Sequence, residues 1–456
     1  MPLASDRGYD LVVRGGTIVL PNGQFRADLG VRDGRIAALG ADLGPAREVF
    51  DARGLHVLPG LIDAHVHFRE PGLTHKEDFA TGTGAAALGG VTTVFDMPNT
   101  TPAVATRELF EAKRRLVEQS ARIDFGLFGI ILQENVGELA RMADAGAVGF
   151  KLFMGETTGG NPCPDDGAIF AAFREIARFD GLAAVHAENN TLLQALKAEL
   201  RAAGRRDPRA HMESRPWFVE AEAIGRATAF AAGAGNRLHV VHVSTRQGLA
   251  RVRLARQEGA RVTCEALVAH LLLDDSAYAR LGNLAQVNPP LREPEHVAAL
   301  WEGLARGDVD MVATDHAPHT VAEQMRDDVW QGVGGFGGVE TMLPLLLTRL
   351  SPEEVTLLAC QRPAQIYRLY PRKGSLCVGA DADVVLVDLA CRWTIDQTRL
   401  HAKHKISPYH GWDVRGRVLA TLVRGLVVAR EGELVGAPQG RFVTPMGAPQ
   451  PALGRL

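Results

Sequence analysis

The chain has 456 residues, a length that predicts several domains or one large barrel with an accessory unit. Apolar residues make up 46% and charged residues 23%, an ordinary globular balance, and the net charge of −3 indicates neither a nucleic-acid nor a membrane-surface partner. Five scattered cysteines without CxxC spacing argue against a disulfide framework. Neither a signal peptide nor an apolar run of the roughly 20 residues that a membrane helix needs is visible. We therefore expect a cytoplasmic protein.

The first sixty residues contain short β-rich runs separated by turn signals. Leu11–Val13 and Thr17–Leu20 are two of these runs. The turn signals are the pairs Gly15-Gly16, Asn22-Gly23 and Asp33-Gly34. Asn-Gly and Asp-Gly favour tight hairpins, because both central residues of a type I′ turn need positive φ.

After Pro59-Gly60, short apolar runs alternate with helical patterns such as Arg107–Gln119 and Trp217–Ala232. The apolar runs are Thr92–Asp96, Phe125–Ile131, Ala147–Phe153, Ala183–His186, Leu238–Val243, Arg261–Glu265 and Met311–Thr314. Continuous apolar strands that alternate with helices indicate a parallel sheet covered on both faces. About eight such units over roughly 300 residues favour a (β/α)₈ barrel over an open sheet.

Near residue 372 the pattern of strands and turns returns, with Ala382–Asp388 and Val418–Val428 as predicted strands. We therefore predict an α/β protein in which residues 60–371 form a (β/α)₈ TIM barrel. Residues 1–59 and 372–456 are predicted to form one small β-sandwich domain from both chain ends, the second part including a tail rich in Pro and Gly.

Two histidines occur close together in Asp63-Ala64-His65-Val66-His67, after an apolar run. Residues i and i+2 of a strand point to the same side, so His65 and His67 would both face the barrel interior. They would lie near the C-terminal end of a strand, where barrel active sites lie. Two imidazoles at that spacing favour a metal site. The alternative is a pair of histidines that are satisfied by hydrogen bonds in a loop.

Three more polar residues close apolar, strand-like runs, namely His186, His242 and Asp315. A polar group at the end of a buried strand is costly unless it is paired or bound to a metal, so several such strands indicate one shared site. His239 lies three positions before His242 on the same strand. It is therefore predicted to face elsewhere and to have a structural role.

Lys151 lies inside the predicted buried strand Ala147–Phe153. A buried lysine either has a lowered pKa or extends its amine toward solvent. A neutral amine near metal ions can take up CO₂ and form a carbamate that bridges two cations. The alternative is a salt bridge to a carboxylate. The histidines and the aspartate on neighbouring strands favour the carbamate.

Six motifs resemble, in the same order, those of the cyclic amidohydrolases, a family that includes dihydroorotases, allantoinases and hydantoinases. The motifs are Asp63–Gly72, Met97–Thr100, Gly149–Lys151, Val185–Glu188, His239–Ser244 and Thr314–His319. The resemblance implies a small-molecule substrate, a homo-oligomer (dimer or tetramer) and two Zn²⁺ ions per chain. The implied metal ligands are His65, His67, Lys151, His186, His242 and Asp315. Carboxylated Lys151 and a hydroxide would bridge the ions, and Asp315 would be the catalytic acid and base.

The substrate prediction depends on fewer residues. Arg69, Asn99 and His319 match the positions at which dihydroorotases bind the carboxylate of their substrate, and an arginine suits that group. Asn288 would contact the ring amides. In the loop Gly334–Gly338, the backbone could approach a ligand closely. The motifs resemble dihydroorotases most, which implies the interconversion of dihydroorotate and N-carbamoyl-aspartate in pyrimidine biosynthesis.

Other interpretations remain open. Arg69 could form a surface salt bridge with Glu70 or Glu77. Glu156 stands where hydantoinases place a tyrosine, and Lys151–Thr157 instead resembles dihydroorotases, but His404–Tyr409 resembles allantoinases. An allantoinase or a hydantoinase-type cyclic ureide hydrolase is therefore one alternative. A catalytically silent family member that acts as a binding partner is another, although every ligand position is filled here.

Overall fold

We describe the fold from a computed structural model in which residues 8–447 are described. The strands are β1 (Tyr9–Leu20), β2 (Gly23–Arg32), β3 (Arg35–Gly40), β4 (Ala46–Asp51), β5 (His56–Pro59), β6 (Leu61–Val66), β7 (Val91–Asp96), β8 (Asp124–Ile130), β9 (Gly149–Phe153), β10 (Leu182–His186), β11 (Arg237–Val240), β12 (Val262–Leu267), β13 (Met311–Ala313), β14 (Val384–Thr394), β15 (Asp413–Val423), β16 (Leu426–Arg430) and β17 (Glu433–Leu434).

The α-helices are α1 (Phe79–Leu88), α2 (Arg107–Val117), α3 (Val136–Asp144), α4 (Asp166–Arg178), α5 (Asn190–Ala202), α6 (Pro208–Glu213), α7 (Trp217–Ala234), α8 (Arg246–Gln257), α9 (Val268–Leu272), α10 (Ala277–Leu281), α11 (Pro294–Arg306), α12 (Val321–Gln324), α13 (Met342–Leu347), α14 (Pro352–Thr356) and α15 (Arg362–Ile366). None of the helices within residues 8–447 is long and apolar enough to cross a membrane.

Strands β6–β13 form one parallel sheet in which each strand pairs with the next one along the chain. The first and last strands also meet, because Val66 forms a bridge with His316 and the His67 backbone N–H donates to the His316 carbonyl at 2.7 Å. The sheet is therefore a nearly closed eight-stranded barrel, and the predicted (β/α)₈ fold is confirmed. The seven apolar runs predicted as strands all overlap strands β7–β13.

Strands β1–β5 and β14–β17 form a second sheet of nine strands. β1 pairs in parallel with β4 and β5, and the other described pairs in this sheet are antiparallel. Its side chains enclose a separate apolar core that includes Val13, Leu29, Leu386 and Leu422. The small β domain predicted from both chain ends is thus confirmed.

Two local predictions in this sheet need correction. Gly15-Gly16 is a bulge within one continuous strand rather than a break between two, with a register shift between Val13 and Gly16 and a φ of 70° at Gly15. Residues 418–428 are not one strand, because Arg424 and Gly425 adopt φ values of 48° and 75° and form the turn between β15 and β16. Left-handed glycines explain both features.

A buried ionic cluster attaches the small sheet to the barrel. The Lys373 Nζ lies 2.5 Å from Asp124, 2.6 Å from Asp383 and 3.1 Å from Asp381, and Arg424 also contacts Asp124. Burial disfavours the charged amine, but the three carboxylates outweigh it and raise the pKa of Lys373. Asp124 is the first residue of β8, so the attachment is at the opposite end of the barrel from the C-terminal strand ends.

Candidate active site

The C-terminal ends of the barrel strands enclose a small cavity of about 40 Å³. The six predicted metal ligands all line it, and they come from β6, β9 and β10 or lie within two residues after the ends of β6, β11 and β13. The predicted substrate residues Arg69, Asn99 and Asn288 line it as well. His319 is not among the lining residues, but its Nε2 lies 3.0 Å from Arg69 Nη2.

His65, His67 and Asp315 form the first half of this cluster. Asp315 Oδ1 lies 3.0 Å from His67 Nε2 and 3.5 Å from His65 Nε2, and this buried oxygen accepts no hydrogen bond. The other nitrogen of His67, Nδ1, lies 2.8 Å from Asn99 Oδ1. Asn99 can only accept there, so His67 carries its proton on Nδ1 and turns a bare Nε2 toward Asp315. Asn99, which we predicted to bind substrate, thus orients a predicted metal ligand.

His186 and His242 form the second half. Nδ1 of His186 lies 2.9 Å from Nε2 of His242, while Nε2 of His186 lies 2.9 Å from Glu188 Oε2. Because a carboxylate accepts the Nε2 proton, the lone pair of His186 Nδ1 points at His242. Burial lowers the pKa of both imidazoles, that of His242 well below its ordinary value. Both rings are therefore neutral at pH 7, the form that a metal requires.

The donor set of the cavity fits a divalent metal. His65, His242 and Asp315 each offer one ligand atom, and these atoms lie within 4.8 Å of one another. Burial opposes the charge of Asp315, but His65, His67 and Lys151 outweigh it and lower the pKa of this carboxyl. A bare carboxylate oxygen among imidazole nitrogens suits zinc, and also cobalt or manganese.

Lys151 extends into the cavity from β9. Its Nζ lies 3.4 Å from His65 Nε2 and 5.3 Å from the centre of the Phe153 ring. Within residues 8–447 no carboxylate oxygen lies within 4.0 Å of this amine, so the alternative of a carboxylate salt bridge has no partner there. Burial lowers the pKa of Lys151 to about 8, against the opposing effect of Asp315 and Glu265.

Three residues of the cavity have left-handed backbones, which are unusual for side chains other than glycine. The φ angles are 64° at Arg69, 41° at His242 and 49° at Asp315. Such conformations cost energy and concentrate at functional sites, where the surrounding structure holds them. Each residue directly follows or lies just past a barrel strand, so the turn directs its side chain over the barrel mouth.

Arg69 is buried, with 3% of its surface exposed, and no carboxylate within residues 8–447 lies within 4.0 Å of it. A surface salt bridge with Glu70 or Glu77 is therefore not formed. Burial lowers the pKa of Arg69 to about 10, so it remains charged at pH 7. Its Nε has no hydrogen-bond partner. The arginine thus offers donors to a ligand.

The contacts of His319 support the same conclusion. Arg69 Nη2 lies 3.0 Å from His319 Nε2, and Lys76 Nζ lies 3.2 Å from His319 Nδ1. Burial, Arg69 and Lys76 lower the pKa of His319, so its ring is neutral and has only one acceptor nitrogen. One of the two cations is therefore left with an unsatisfied donor. Lys76 also has the carboxylate of Glu323 at 2.9 Å, whereas Arg69 has no carboxylate within 4.0 Å among residues 8–447, so Arg69 is the less fully paired of the two cations.

The glycine-rich segment Gly334–Gly338 covers one side of the cavity. The Gly334 carbonyl accepts a hydrogen bond from Thr158 Oγ1 at 3.1 Å, and the Phe336 carbonyl accepts one from the Ala317 backbone at 3.0 Å. At Gly335, φ is 127° and a Cβ atom would lie 2.6 Å from the Ala317 carbonyl oxygen. Glycine is needed here because the segment packs directly against the loop that follows Asp315.

A second chamber of about 210 Å³ adjoins the cavity. The two spaces share Thr157, Thr158, Asn288 and Gly334. The remaining residues around the second chamber include Glu156, Lys197, His211, Arg215, Gln286 and Trp330. This chamber is mostly polar and lies beside the candidate metal ligands, so it can take a group attached to a molecule bound in the cavity.

Three residues that hold the site together were not predicted from the sequence. Glu188 and Glu265 each contact a predicted histidine ligand, and Lys76 contacts His319. A signal was available for Glu265, because it closes the apolar run Arg261–Glu265 just as the predicted ligands close theirs. No local pattern distinguishes Lys76 from an exposed lysine.

Comparison with known proteins identifies relatives over nearly the whole chain. A model of the amidohydrolase family matches residues 56–428. An allantoinase from Rubrobacter xylanophilus is 43% identical over 448 residues, covering 96% of this chain and 98% of the relative. An L-hydantoinase from Paenarthrobacter aurescens is 38% identical over 449 residues, covering 96% and 98%. The solved structure of an L-hydantoinase (dihydropyrimidinase) from Arthrobacter aurescens has a TM-score of 0.93 at 38% identity, covering 96% of this chain and 100% of that one.

These relatives are named allantoinases and hydantoinases, so the expectation that the chain is most similar to dihydroorotases is not supported. That expectation depended on Arg69, Asn99 and His319. The structure assigns other contacts to two of these residues, because Asn99 orients His67 and His319 lies behind Arg69.

Proposed function

The chain belongs to the amidohydrolase family, and we propose that it hydrolyses the ring amide of a cyclic ureide of the allantoin or hydantoin type. The observation that carries this proposal is the convergence of six candidate ligands on one buried cavity at the barrel mouth. Relatives named for this class of substrate, similar over nearly the whole chain, support the choice of ring.

We propose that the cavity holds two divalent ions, most simply zinc. The residues that would hold them are His65, His67, Lys151, His186, His242 and Asp315, and Lys151, once carboxylated, would offer its carboxylate oxygens to the ions. When bound, such ions would lower the pKa of a bound water molecule and polarise the scissile carbonyl.

Within this arrangement, Asp315 is the group that moves a proton. Its carboxyl group is ionised because its pKa is lowered, and its Oδ1 has no hydrogen-bond partner, so this bare oxygen is free to take the proton of a water molecule held beside it in the cavity. Returning that proton to the ring nitrogen completes the cleavage of the C–N bond and opens the ring. Arg69 and the side-chain amide of Asn288 line the same cavity and can donate hydrogen bonds to ring carbonyls.

The second chamber supports a ring with a polar substituent. His211 Nε2 lies 2.8 Å from Asn288 Oδ1, which makes His211 Nδ1 an acceptor, and this buried atom has no partner. Gln286 Oε1 is another buried acceptor without a partner. Unpaired buried acceptors favour a group that carries N–H donors. The ureido group of allantoin is such a group, whereas an aryl or alkyl substituent on hydantoin is not.

A ring that bears a carboxylate, such as dihydroorotate, is a second candidate. The observation that favours it is the buried guanidinium of Arg69, which has no carboxylate partner among the described residues. A carboxylate would pair with it, and a neutral carbonyl would satisfy it less completely.

The test is a comparison of kcat/KM for allantoin, hydantoin, dihydrouracil and dihydroorotate, using enzyme reconstituted with zinc. We expect allantoin to be the preferred substrate, with Asp315→Asn as the control for background hydrolysis. Preference for dihydroorotate would select the second candidate. Absence of turnover on every ring by a chain with both metals bound would favour a catalytically silent binding protein.

A further inference from the structure

Glu265 is a fully buried carboxylate in β12 that lies behind the candidate metal ligands. Its Oε1 lies 2.5 Å from His65 Nδ1, and its Oε2 lies 3.2 Å from His239 Nε2. Oε1 also accepts the backbone N–H of His242 at 3.3 Å. One carboxylate therefore contacts a side chain from the first half of the cluster and the backbone of a ligand from the second.

These contacts determine which nitrogen of His65 faces the cavity. A carboxylate surrounded by N–H groups acts as an acceptor only, so His65 carries a proton on Nδ1. Its Nε2 is then the nitrogen that can be bare, and it faces Asp315 Oδ1 at 3.5 Å and Lys151 Nζ at 3.4 Å. A metal binds the bare nitrogen, and the acceptor behind the ring holds the ring in place.

His239 completes this arrangement from the other side. Its Nδ1 lies 2.8 Å from Thr263 Oγ1 and its Nε2 faces Glu265, so the ring lies between strands and not in the cavity. Glu265 itself is also absent from the residues that line the cavity. Neither side chain therefore touches a substrate.

We propose that Glu265 is a positioning residue for the metal centre. It sets the tautomer of His65 and ties β6, β11 and β12 together, so that ligands of both proposed ions keep their relative positions. This inference rests on the proposed metal centre. Partners behind metal-binding histidines typically change metal affinity about 10- to 100-fold when they are removed.

The experiment measures zinc affinity and histidine tautomers separately from turnover. Zinc affinity is obtained by competition with a chelator, and the tautomer of His65 by long-range ¹⁵N–¹H correlation in metal-free protein labelled at histidine. Glu265→Met removes both acceptors and should weaken zinc binding about 100-fold and shift the His65 proton toward Nε2. Glu265→Gln keeps one neutral acceptor and should weaken it about tenfold, because a charge-assisted bond is replaced by a weaker one.

His239→Gln is the matched control, since its amide still donates to Glu265 and the change is in the same buried cluster. We expect its zinc affinity within about threefold of the wild type and an unchanged His65 tautomer. Equal losses in His239→Gln and Glu265→Gln would assign the effect to packing of the barrel core and overturn the proposal. The proposal would also be overturned if Glu265→Gln bound zinc as tightly as the wild type, and this outcome does not depend on whether Glu265→Met folds.

The outcomes for this inference and for the proposed function are distinguishable. A wild-type chain that binds zinc, shows His65 protonated on Nδ1 and hydrolyses no cyclic ureide would contradict the proposed function alone. A wild-type chain that binds no zinc would contradict the metal centre and the role of Glu265 together.

Discussion

Lys151 should acquire its carboxylate only when CO₂ is supplied, because the carbamate forms from CO₂ and a neutral amine. Burial lowers the pKa of this amine from 10.5 to about 8. The shift raises the neutral fraction at pH 7 from about 0.03% to roughly 9%, or about 300-fold. The fold thus prepares this one lysine for a reaction that an exposed lysine undergoes far less readily.

The assay starts from enzyme stripped of metal with a chelator. Zinc is added in buffer freed of CO₂ or in buffer with ¹³C-bicarbonate, and zinc per chain and the ¹³C carbamate signal are followed with time. We expect two zinc ions and a carbamate in the second buffer only. At a fixed concentration of dissolved CO₂, the rate should rise with pH, reach half of its maximum near pH 8 and level off about one pH unit higher, where the amine is almost entirely neutral.

Lys151→Met is the control, since it keeps an apolar stem of similar length and has no amine. We expect it to bind fewer than two zinc ions and to show no dependence on bicarbonate. Uptake of two ions at the same rate in both buffers by the wild type, or equally tight binding by Lys151→Met, would contradict a carboxylated Lys151.

Three further predictions test single side chains. Asp315→Asn should lower kcat by about 10²- to 10⁴-fold while the thermal midpoint is kept, and a kcat near that of the wild type would contradict its role in proton transfer. Arg69→Met should lower kcat/KM at least about tenfold more for dihydroorotate than for dihydrouracil, and equal losses would argue against carboxylate binding. Lys373→Met leaves Asp381 and Asp383 without their buried cation and Asp124 with Arg424 alone, and it should lower the free energy of unfolding in urea by about 3–5 kcal/mol. A change below about 1 kcal/mol would show that the cluster stabilises little.

The barrel was predictable from the sequence because its signals are local. A buried parallel strand appears in the sequence as a short apolar run, and the helix after it appears as apolar residues at helical spacing. Both can be recognised without knowing which strand pairs with which. Trp217–Ala232, for example, was predicted as a helix and is helical over Trp217–Ala234. The prediction failed at Gly15-Gly16 and at Arg424-Gly425, where glycine makes a bulge in one case and a turn in the other. The residue types alone do not show whether a glycine forms a bulge within one strand or a turn between two strands.

The residues at the candidate site were identifiable for a similar reason. A polar side chain at the end of an apolar run is costly in isolation, so His186, His242 and Asp315 stood out without any knowledge of their distances. Lys151 stood out because it interrupts such a run. The amino-acid sequence by itself therefore determined the class of fold and the residue types available for a metal centre.

Only the tertiary structure decided how these side chains are held and what the pocket can recognise. His65 and Glu265 are 200 positions apart in the chain, and Arg69 and His319 are 250 apart, so no local pattern records their contacts. Whether Arg69 pairs with a surface glutamate or faces the cavity depends on the left-handed turn that buries it. The second chamber likewise exists only because loops from distant parts of the chain meet beside the barrel mouth. Metal chemistry follows from residue type, whereas substrate recognition follows from the positions that side chains take when the barrel closes.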